Sequence, residues 1–324
     1  MDLLAIGRAG VDFYSLDYGS SLVDARRFAK YVGGTAANTV VGATRLGLSC
    51  ALVSRVGDDE LGDFVLGFLK AEGVDVKRLR KDHDRKTGVV FAEVSPGRDG
   101  RFIFYREKVA DLQVTSADLG SGALEGTRAL LVTGTGLSAS PSLETVLEAE
   151  RKAKSLGKMV ILNLDWRPTL WRAPVTERVS RYRRAMAQAD VLVGNDKEYM
   201  AATGKGDLQG ALGSIKDADS KLIAVTKGEA GSEVWVHGRR ESAEGFRVPL
   251  MKGLGGGDGF ISGFIFGILH GWAPARAALF GNAVGAIVVT GHACSESMPS
   301  PRRVSSFLKR NGYDLVWKSG PSKR

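Results

Sequence analysis

The sequence is poor in the residues that build metal centres and covalent cross-links. Its 324 residues include only 2 cysteines and 4 histidines. Cys50 and Cys294 do not form a pair with metal-ligand spacing, and a disulfide framework is not indicated. The histidines are scattered, so we expect neither a histidine-based metal site nor a triad with a histidine base. They are His83, His237, His270 and His292.

Long hydrophobic runs are also missing. The most apolar segment, residues 260–269, is too short to span a bilayer. The first residues lack the basic region and the long apolar stretch of a secretory signal. We therefore expect a cytoplasmic protein that has no membrane partner.

Basic residues outnumber acidic ones, but they are not concentrated in one part of the sequence. The chain has 45 Lys and Arg against 36 Asp and Glu, a formal net charge of +9. The densest basic clusters, residues 77–81 and 181–184, are short and are typical of solvated helix or loop faces. A nucleic-acid binder concentrates such charge in longer runs interleaved with aromatic residues. We expect no nucleic-acid partner and infer a basic field that attracts anionic small molecules.

The common nucleotide-binding motifs are absent. The chain has no Walker A motif, no protein-kinase signature and no glycine fingerprint for dinucleotides. The missing fingerprint disfavours an oxidoreductase. If the chain uses ATP, a different loop system must hold it.

Short apolar runs alternate with amphipathic helical patterns through most of the chain. This alternation predicts an α/β fold with a mainly parallel sheet and helices on its faces. The predicted strands are residues 3–6, 51–56, 129–132, 159–164, 191–193 and 222–226. The predicted helices are residues 36–46, 62–71, 142–155, 197–203, 259–271 and 275–290, the last two rich in small residues.

Two regions break the alternation. Residues 11–15 and 28–32 are predicted as short strands, and residues 87–94 and 101–106 flank a strong turn signal at 95–100. Together they predict a small sheet inserted into the core. We therefore expect one α/β domain over residues 1–324, with a discontinuous β-lid formed by about residues 11–32 and 86–107.

The most informative segment is residues 252–260, where three consecutive glycines lead into an aspartate and a long apolar helix. Backbone amides of Gly255, Gly256 and Gly257 at a helix N-terminus can bind an anion. Asp258, placed at the first helical position, lies beside that anion and can take a proton. A structural turn is the alternative interpretation of such a glycine run.

Two motifs near the N-terminus suit a hydroxyl-rich ligand. Asp12 comes soon after the first strand, where a carboxylate can accept hydrogen bonds from two hydroxyls, although a solvated turn is the alternative. In residues 33–38, the glycines allow close backbone approach and Asn38 can direct its amide at a sugar. Thr35 can also simply cap the following helix.

Residues 195–198 read Asn-Asp-Lys-Glu after a strand. The structural interpretation is a capping box, in which Asn195 is the N-cap and the Glu198 side chain accepts a hydrogen bond from the Asn195 backbone amide. The functional interpretation is that both side chains order the water shell of an ATP-bound Mg²⁺, which keeps several waters. The nucleotide itself is assigned to three positions after a later strand and one on the last long helix: Thr226, Gly228, Gly231 and Asn282.

In their order along the chain, these motifs resemble the PfkB (ribokinase-like) carbohydrate kinase family. The resemblance runs from Gly7 to about Pro299 and rests on residues 33–38 and 255–260, with 195–198 matching the family's magnesium-associated motif. It implies a Rossmann-like ribokinase fold with a small β-lid that often forms a dimer contact. We therefore expect a homodimer formed through the lid.

The resemblance also implies a mechanism that uses ATP and Mg²⁺. Asp258 would take the proton of a primary hydroxyl, which attacks the γ-phosphate, and the loop amides of Gly255, Gly256 and Gly257 would stabilise the transferred group. By analogy with the family, Asp12, Gly34 and Asn38 would hold the sugar.

Within the family, the nearest likeness is to the branch that phosphorylates 5-dehydro-2-deoxygluconate in myo-inositol catabolism. It rests on residues 7–12, 31–34, 104–107, 165–168 with Trp171, and 293–295 with 298–299. This substrate is a carboxylate, and arginine pairs with carboxylates in a bidentate manner. The arginines near the predicted pocket are Arg8, Arg106 and Arg167, although each can also serve a structural ion pair.

Three residues depart from the family's pattern. Gly256 replaces the usual alanine, and Asn163 stands where related acid-sugar kinases often carry aspartate. Lys252 occupies a place where many ribokinases have an acidic or amide residue tied to a monovalent-cation site. Its ammonium is a candidate replacement for that cation.

Other substrates and another class of function remain open. A 2-keto-3-deoxygluconate kinase is the second candidate, because Arg167 and Trp171 resemble residues of that group too, and a fructokinase or ribokinase is the third. A non-catalytic sugar or nucleotide sensor is the alternative of another class. The presence of Asp258 disfavours it.

Overall fold

A computed structural model describes residues 1–97 and 100–315, so residues 98–99 of the predicted turn lie outside the described residues. Strands and helices alternate as predicted. The strands are β1 (Leu3–Ile6), β2 (Gly10–Ser15), β3 (Phe28–Gly33), β4 (Cys50–Gly57), β5 (Leu79–Asp82), β6 (Val89–Ala92), β7 (Phe102–Tyr105), β8 (Ala129–Thr133), β9 (Met159–Asn163), β10 (Val191–Asn195), β11 (Leu222–Thr226), β12 (Ser232–Val236) and β13 (Arg239–Ala243). The helices are α1 (Thr35–Leu46), α2 (Glu60–Ala71), α3 (Ser116–Leu119), α4 (Ser142–Ser155), α5 (Val175–Gln188), α6 (Asp196–Thr203), α7 (Leu208–Gly213), α8 (Gly256–Leu269), α9 (Pro274–Val289) and α10 (Pro301–Arg310).

The main sheet has nine strands within the described residues, in the order β13-β12-β11-β10-β9-β8-β1-β4-β5. All neighbours from β5 to β11 pair in parallel, and β12 and β13 add an antiparallel edge. The central strands are buried on both faces, as expected for a parallel sheet covered by helices. The predicted fold class is therefore confirmed. The carboxyl ends of the parallel strands share one edge, where ligands bind in folds of this type.

A smaller sheet of four strands, again counted among the described residues, has the order β3-β2-β6-β7. β6 and β7 form the predicted antiparallel hairpin, and β2 pairs antiparallel with β3 and parallel with β6. One face of this sheet carries Asp12, Tyr14, Val90, Phe102 and Phe104, which line the cleft described below. Side chains alternate along a strand, so the opposite face carries a different set.

Two apolar clusters cover the two faces of the main sheet. One packs α1, α8 and α9 against the sheet, and the other packs α4 and α5 on the opposite face. Most residues of α8 and more than half of those of α9 are buried. The two helices meet at glycines, since a Cβ atom on Gly259 would lie 2.9 Å from Gly285 Cα, which agrees with their predicted close packing. Within the described residues, no helix is both long and apolar enough to cross a membrane.

Several elements were not predicted from the sequence. The most informative are α5, which contains the basic cluster 181–184, and the β12–β13 hairpin at the edge of the sheet. In α5 only Tyr182, Ala185 and Met186 are buried, so its apolar stripe is narrow and the charged residues hide the helical period.

Candidate active site

The glycine loop ends at the N-terminus of α8. Gly255 is the N-cap, with a left-handed φ of 86°, and a Cβ atom there would lie 2.6 Å from Cys294 Sγ. The helix begins at Gly256, so Asp258 is its third residue, and the sequence-based placement at the first position is wrong. The first amides of a helix have no partner within it and lie at its positive end. This loop therefore suits an anion.

Asp258 is buried, with 8% of its surface exposed. Its Oδ2 accepts a 2.7 Å hydrogen bond from Asn38 Nδ2 on α1. Burial, and next the negative charge of Asp165, raise the pKa of Asp258 to about 6, while the Asn38 hydrogen bond and Arg167 oppose this rise. A carboxyl with this pKa is ionised at neutral pH and is more basic than an exposed aspartate, as a general base requires.

A cleft lies between the small sheet and the carboxyl edge of the main sheet. It has about 540 Å³ of empty space, including its open mouth. The structure brings together in it the following residues that the sequence predicted: Arg8, Asp12, Gly34, Asn38, Arg167, Gly255 and Asp258. Thr135, Asp165, Leu170 and Cys294 complete much of the wall.

Arg8, Asp12 and Tyr14 form a buried polar network on one side of the cleft. Arg8 Nη2 donates to Asp12 Oδ1 over 2.7 Å, and the Tyr14 hydroxyl donates to Asp12 Oδ2 over 3.2 Å. The same hydroxyl lies 2.9 Å from Cys294 Sγ. Gly34 has a φ of 108°, and a Cβ atom there would lie 2.3 Å from the Arg8 carbonyl oxygen. The glycine thus brings the start of α1 close to this network.

Asp165 and Arg167 form the opposite side. Asp165 is 2% exposed, has an unusual φ of 36°, and accepts a 3.1 Å hydrogen bond from Thr135 Oγ1. Arg167 Nε lies 3.2 Å from Asp165 Oδ1 as an ion pair. Burial opposes the positive charge of Arg167, but Asp165, Glu198 and Asp258 raise its pKa. Arg167 therefore stays charged in the cleft.

Arg106 lies behind the cleft wall rather than in the cleft. It lines a neighbouring cavity, which is separated from the cleft by Phe104 and Leu170, two residues that line both spaces. Arg106 also forms a buried ion pair with Asp111. Burial, and next the positive charge of Arg8, lower the pKa of Arg106 to about 9. Arg106 is therefore charged at neutral pH, but one of its guanidinium nitrogens is already bound to Asp111.

Some of the buried polar atoms that have no hydrogen-bond partner lie in the cleft or behind its wall. Such atoms are uncommon in native proteins because each costs free energy. In the described part of the chain they include Asn38 Oδ1 and Arg8 Nε in the cleft, and Arg106 Nε and Nη1 behind its wall. A ligand in the cleft that offers both a hydroxyl and an anionic group would satisfy Asn38 Oδ1 and Arg8 Nε.

Asn195 and Glu198 form the predicted capping box at the start of α6. Glu198 N donates to Asn195 Oδ1 over 3.0 Å, and Asn195 N donates to Glu198 Oε2 over 2.8 Å. Burial raises the pKa of Glu198 to about 7, with Arg167 opposing and Asp165 adding to the rise. Among the described residues, no group of three or more His, Cys, Asp or Glu side chains is arranged to hold a metal directly. Neither Asn195 nor Glu198 is among the residues that line the cleft, although the charges of Arg167, Asp165 and Asp258 act on Glu198.

The four predicted nucleotide residues lie outside the cleft. Thr226 ends β11, and the following turn contains Gly228 and Gly231, both with positive φ. Asn282 on α9 donates its Nδ2 to the carbonyl oxygens of Ala243 and Glu244, over 3.2 Å and 2.9 Å. Asn282 therefore ties the end of β13 to α9.

Sequence reasoning missed Asp165 as a site residue. It follows β9 at the carboxyl edge of the sheet, in the kind of position that singled out Asp12 after β1. The same positional rule would have found it. Tyr14 and Cys294 were also missed as site residues, because their proximity depends on contacts between segments that are 280 residues apart.

Comparisons with known proteins agree with this geometry. The profile of the pfkB family carbohydrate kinases matches residues 1–301. A curated 5-dehydro-2-deoxygluconokinase from Clostridium perfringens is 34% identical over 316 residues, covering 95% of this chain and 93% of that protein. A protein with the same name from Clostridium tetani is 33% identical over 322 residues, with the same coverage.

Solved structures match over nearly the whole chain. A sugar kinase from Pyrococcus horikoshii in complex with ATP has a TM-score of 0.82 at 27% identity and covers 94% of this chain and 97% of that one. A fructokinase double mutant from Vibrio cholerae, solved with fructose, ADP and potassium ion, has a TM-score of 0.85 at 25% identity. The match covers 95% of this chain and 98% of that one.

Proposed function

The chain belongs to the PfkB family of carbohydrate kinases, and we propose that it transfers the γ-phosphoryl group of ATP to a primary hydroxyl of 5-dehydro-2-deoxygluconate. Relatives that carry the corresponding name support this substrate. The observation that carries the proposal is the position of Asp258. Its carboxylate lies beside the open amides of α8, in a cleft that also holds Arg8 and Arg167.

In the proposed reaction, Asp258 takes the proton of the sugar hydroxyl. The hydroxyl oxygen forms a bond to the γ-phosphorus, the bond from that phosphorus to the β–γ bridging oxygen breaks, and ADP leaves. The amides of Gly255, Gly256 and Gly257 stabilise the charge on the transferred group. Asn38 holds the Asp258 carboxylate in position.

Asn195 and Glu198 are proposed to hold Mg²⁺ through water. When bound, the ion neutralises phosphate charge. A protein site that contributes few direct ligands fits this ion, which usually keeps several waters.

The sugar acid is proposed to lie between the two polar sides of the cleft. Asp12, the Gly34 main chain and Asn38 face its hydroxyls, and Asn38 Oδ1 has no other partner in the described residues. Arg8 and Arg167 offer their charge to the carboxylate directly. Arg106, behind the wall, adds positive potential without lining the cleft.

For the nucleotide, we propose the region beyond the ends of β11 and β13. Thr226, Gly228 and Gly231 would approach phosphates or ribose, and Asn282 would lie beside the adenine. The exposed backbone of this turn supports the proposal, since Gly228 has open space where a side chain would be.

The small sheet is proposed to act as a lid over the cleft within a single domain and to form a homodimer through its outer face. That face carries the stacked pair Phe13 and Phe91, joined by Phe28 and Tyr105. Ile103 and Tyr105 are 48% and 61% exposed. Contiguous apolar surface of this kind favours association with a second copy.

An ADP-release assay with a panel of acceptors tests the proposed substrate. Purified protein, ATP and Mg²⁺ are combined with 5-dehydro-2-deoxygluconate, 2-keto-3-deoxygluconate, fructose or ribose. We expect the highest kcat/KM for 5-dehydro-2-deoxygluconate. A preference for 2-keto-3-deoxygluconate would favour the second candidate, and turnover of neutral sugars alone would refute an acid-sugar kinase. ATP binding without turnover of any acceptor would favour a sensor.

A further inference from the structure

Lys252 brings an ammonium group into the interior beside the glycine loop. Its side chain is among the largest that are fully buried, and the residue is 1% exposed. Burying an ammonium without hydrogen-bond partners is strongly unfavourable, so such a group needs compensation. The proposed reaction leaves this charge unexplained.

Two main-chain carbonyls hold the ammonium. Lys252 Nζ donates to the Leu254 oxygen over 3.0 Å and to the Val288 oxygen over 3.3 Å. Val288 lies in the last turn of α9, whose carbonyls form the negative end of that helix. The backbone amides of Met251 and Lys252 also donate to the Val289 oxygen. The residue thus joins the end of α9 to the start of the glycine loop.

Within the described residues, the ammonium is not in a salt bridge with a carboxylate. The nearby negative charges act through space. Burial lowers the pKa of Lys252, and Cys294, Asp258 and Asp12 oppose that change. Carbonyl oxygens in a desolvated pocket are the ligands that replace water around a monovalent cation. The Lys252 ammonium therefore has the surroundings of such an ion.

We propose that Lys252 is a built-in monovalent cation of the phosphoryl-transfer site, so that the enzyme needs no potassium. The ammonium fixes the Leu254 carbonyl, and through it the direction of the Gly255–Gly257 amides. Its charge also offsets that of the transferred phosphoryl group. Lys252 acts as a positioning residue, because it does not contact the reacting atoms. It affects them through the orientation of the glycine loop and through the electrostatic potential of its ammonium.

Cation dependence tests this proposal. The wild-type kcat should be the same in potassium, sodium and tetramethylammonium chloride at equal ionic strength. Lys252→Ala should lower kcat roughly 10- to 100-fold with little change in the KM for ATP. Potassium, ammonium or methylammonium should then restore kcat several-fold with saturation, because each fits the vacated space, whereas tetramethylammonium should not. Lys252→Met keeps the volume without the charge, so it should lose activity and resist rescue.

Lys221 provides a matched control. It is also a buried lysine, and its Nζ donates to the Ala189 carbonyl oxygen at the end of α5, outside the cleft. Lys221→Met should lower the melting temperature without a kcat loss that cations restore. Several-fold activation of the wild type by potassium would overturn the proposal. So would an unchanged kcat in Lys252→Ala, or a loss that no small cation restores.

The inference rests on the proposed phosphoryl transfer but not on the identity of the sugar. The cation series is measured with whichever acceptor the wild-type enzyme uses. Failure of 5-dehydro-2-deoxygluconate as acceptor therefore contradicts the substrate proposal and leaves the Lys252 test in place.

Discussion

The Asn38 side-chain amide donates a 2.7 Å hydrogen bond to Asp258 Oδ2, joining residues 220 positions apart in the sequence. Asn38 lies in the first turn of α1, and Asp258 in the first turn of α8. The bond favours the ionised carboxylate and fixes its direction, while burial favours the neutral acid. The balance between them sets the basicity of Asp258.

Asp258→Asn should lower kcat by about 10²- to 10⁴-fold, because the amide cannot accept the hydroxyl proton. ATP binding, measured by calorimetry, should remain within a few-fold of the wild type. Asp118→Asn is the control, since Asp118 is also buried but pairs with Arg55 away from the cleft. Near-normal turnover in Asp258→Asn would contradict the assigned base.

The pH profile of kcat/KM should show an acidic limb near pH 6. The pKa of Asp258 is raised to about 6, so the carboxylate is present above that value and is lost as pH falls through it. Asn38→Leu removes a bond that lowers the pKa, so the limb should move to higher pH by roughly half a unit to one unit. If the acidic limb of the profile does not move in this variant, the titration of a group other than Asp258 causes it.

Asp165→Asn should move the same limb in the opposite direction. The negative charge of Asp165 raises the pKa of Asp258, and its removal lets the carboxylate persist to lower pH. Asparagine tolerates the left-handed φ of 36°, so the backbone should remain in place. Opposite shifts in the two variants would assign the limb to Asp258, while parallel shifts would indicate a change in overall stability.

Arg167→Gln should raise the KM for the sugar acid about 10- to 100-fold, because a hydrogen bond to a charged group contributes about 1.5–3 kcal/mol. The KM for ATP should change little. Arg172→Gln is the control, as Arg172 is exposed and pairs with Glu107. Equal losses for a carboxylated and a neutral acceptor would show that Arg167 does not select the carboxylate.

Arg106→Leu should destabilise the fold by about 3–5 kcal/mol, because it leaves Asp111 buried and unpaired. Denaturant unfolding measures this change. The double variant Arg106→Leu with Asp111→Leu should recover much of the loss. If the single variant is as stable as the wild type, the ion pair is not formed as described.

Ile103→Asp together with Tyr105→Asp should convert a dimer to monomers, because both positions place charge on the exposed apolar face of the small sheet. Light scattering after size exclusion measures the mass. Val175→Asp is the control, since Val175 is 57% exposed at the start of α5, outside that sheet. A wild-type monomer would refute the proposed dimer.

The local parts of the fold could be predicted from the sequence. Six strands of the main sheet appear as buried apolar runs, and the β6–β7 hairpin follows from its turn signal. The small-sheet strands required one further step, the recognition that residues 11–15 and 28–32 break the α/β alternation. The β12–β13 hairpin was missed because edge strands are half exposed and carry a mixed sequence.

The candidate site was predictable where glycine and polar motifs follow strands. Asp12, Gly34, Asn38 and Asp258 could be named from such motifs, and they line one cleft. The position of Arg106 behind the wall could not, because it depends on how the small sheet packs. Nor could the sequence show which carbonyls receive the Lys252 ammonium, since Val288 lies 36 residues further along the chain.

Phosphorus NMR of the product formed from ATP and 5-dehydro-2-deoxygluconate tests the central claim most directly. We expect a new phosphomonoester signal, split into a triplet by the methylene protons of a primary phosphate ester, together with ADP. In the time that the wild-type enzyme needs to convert its substrate, Asp258→Asn should give little of either product. Release of inorganic phosphate without a sugar ester would rule out phosphoryl transfer to this sugar, and an ester on a secondary hydroxyl would rule out attack by the primary hydroxyl.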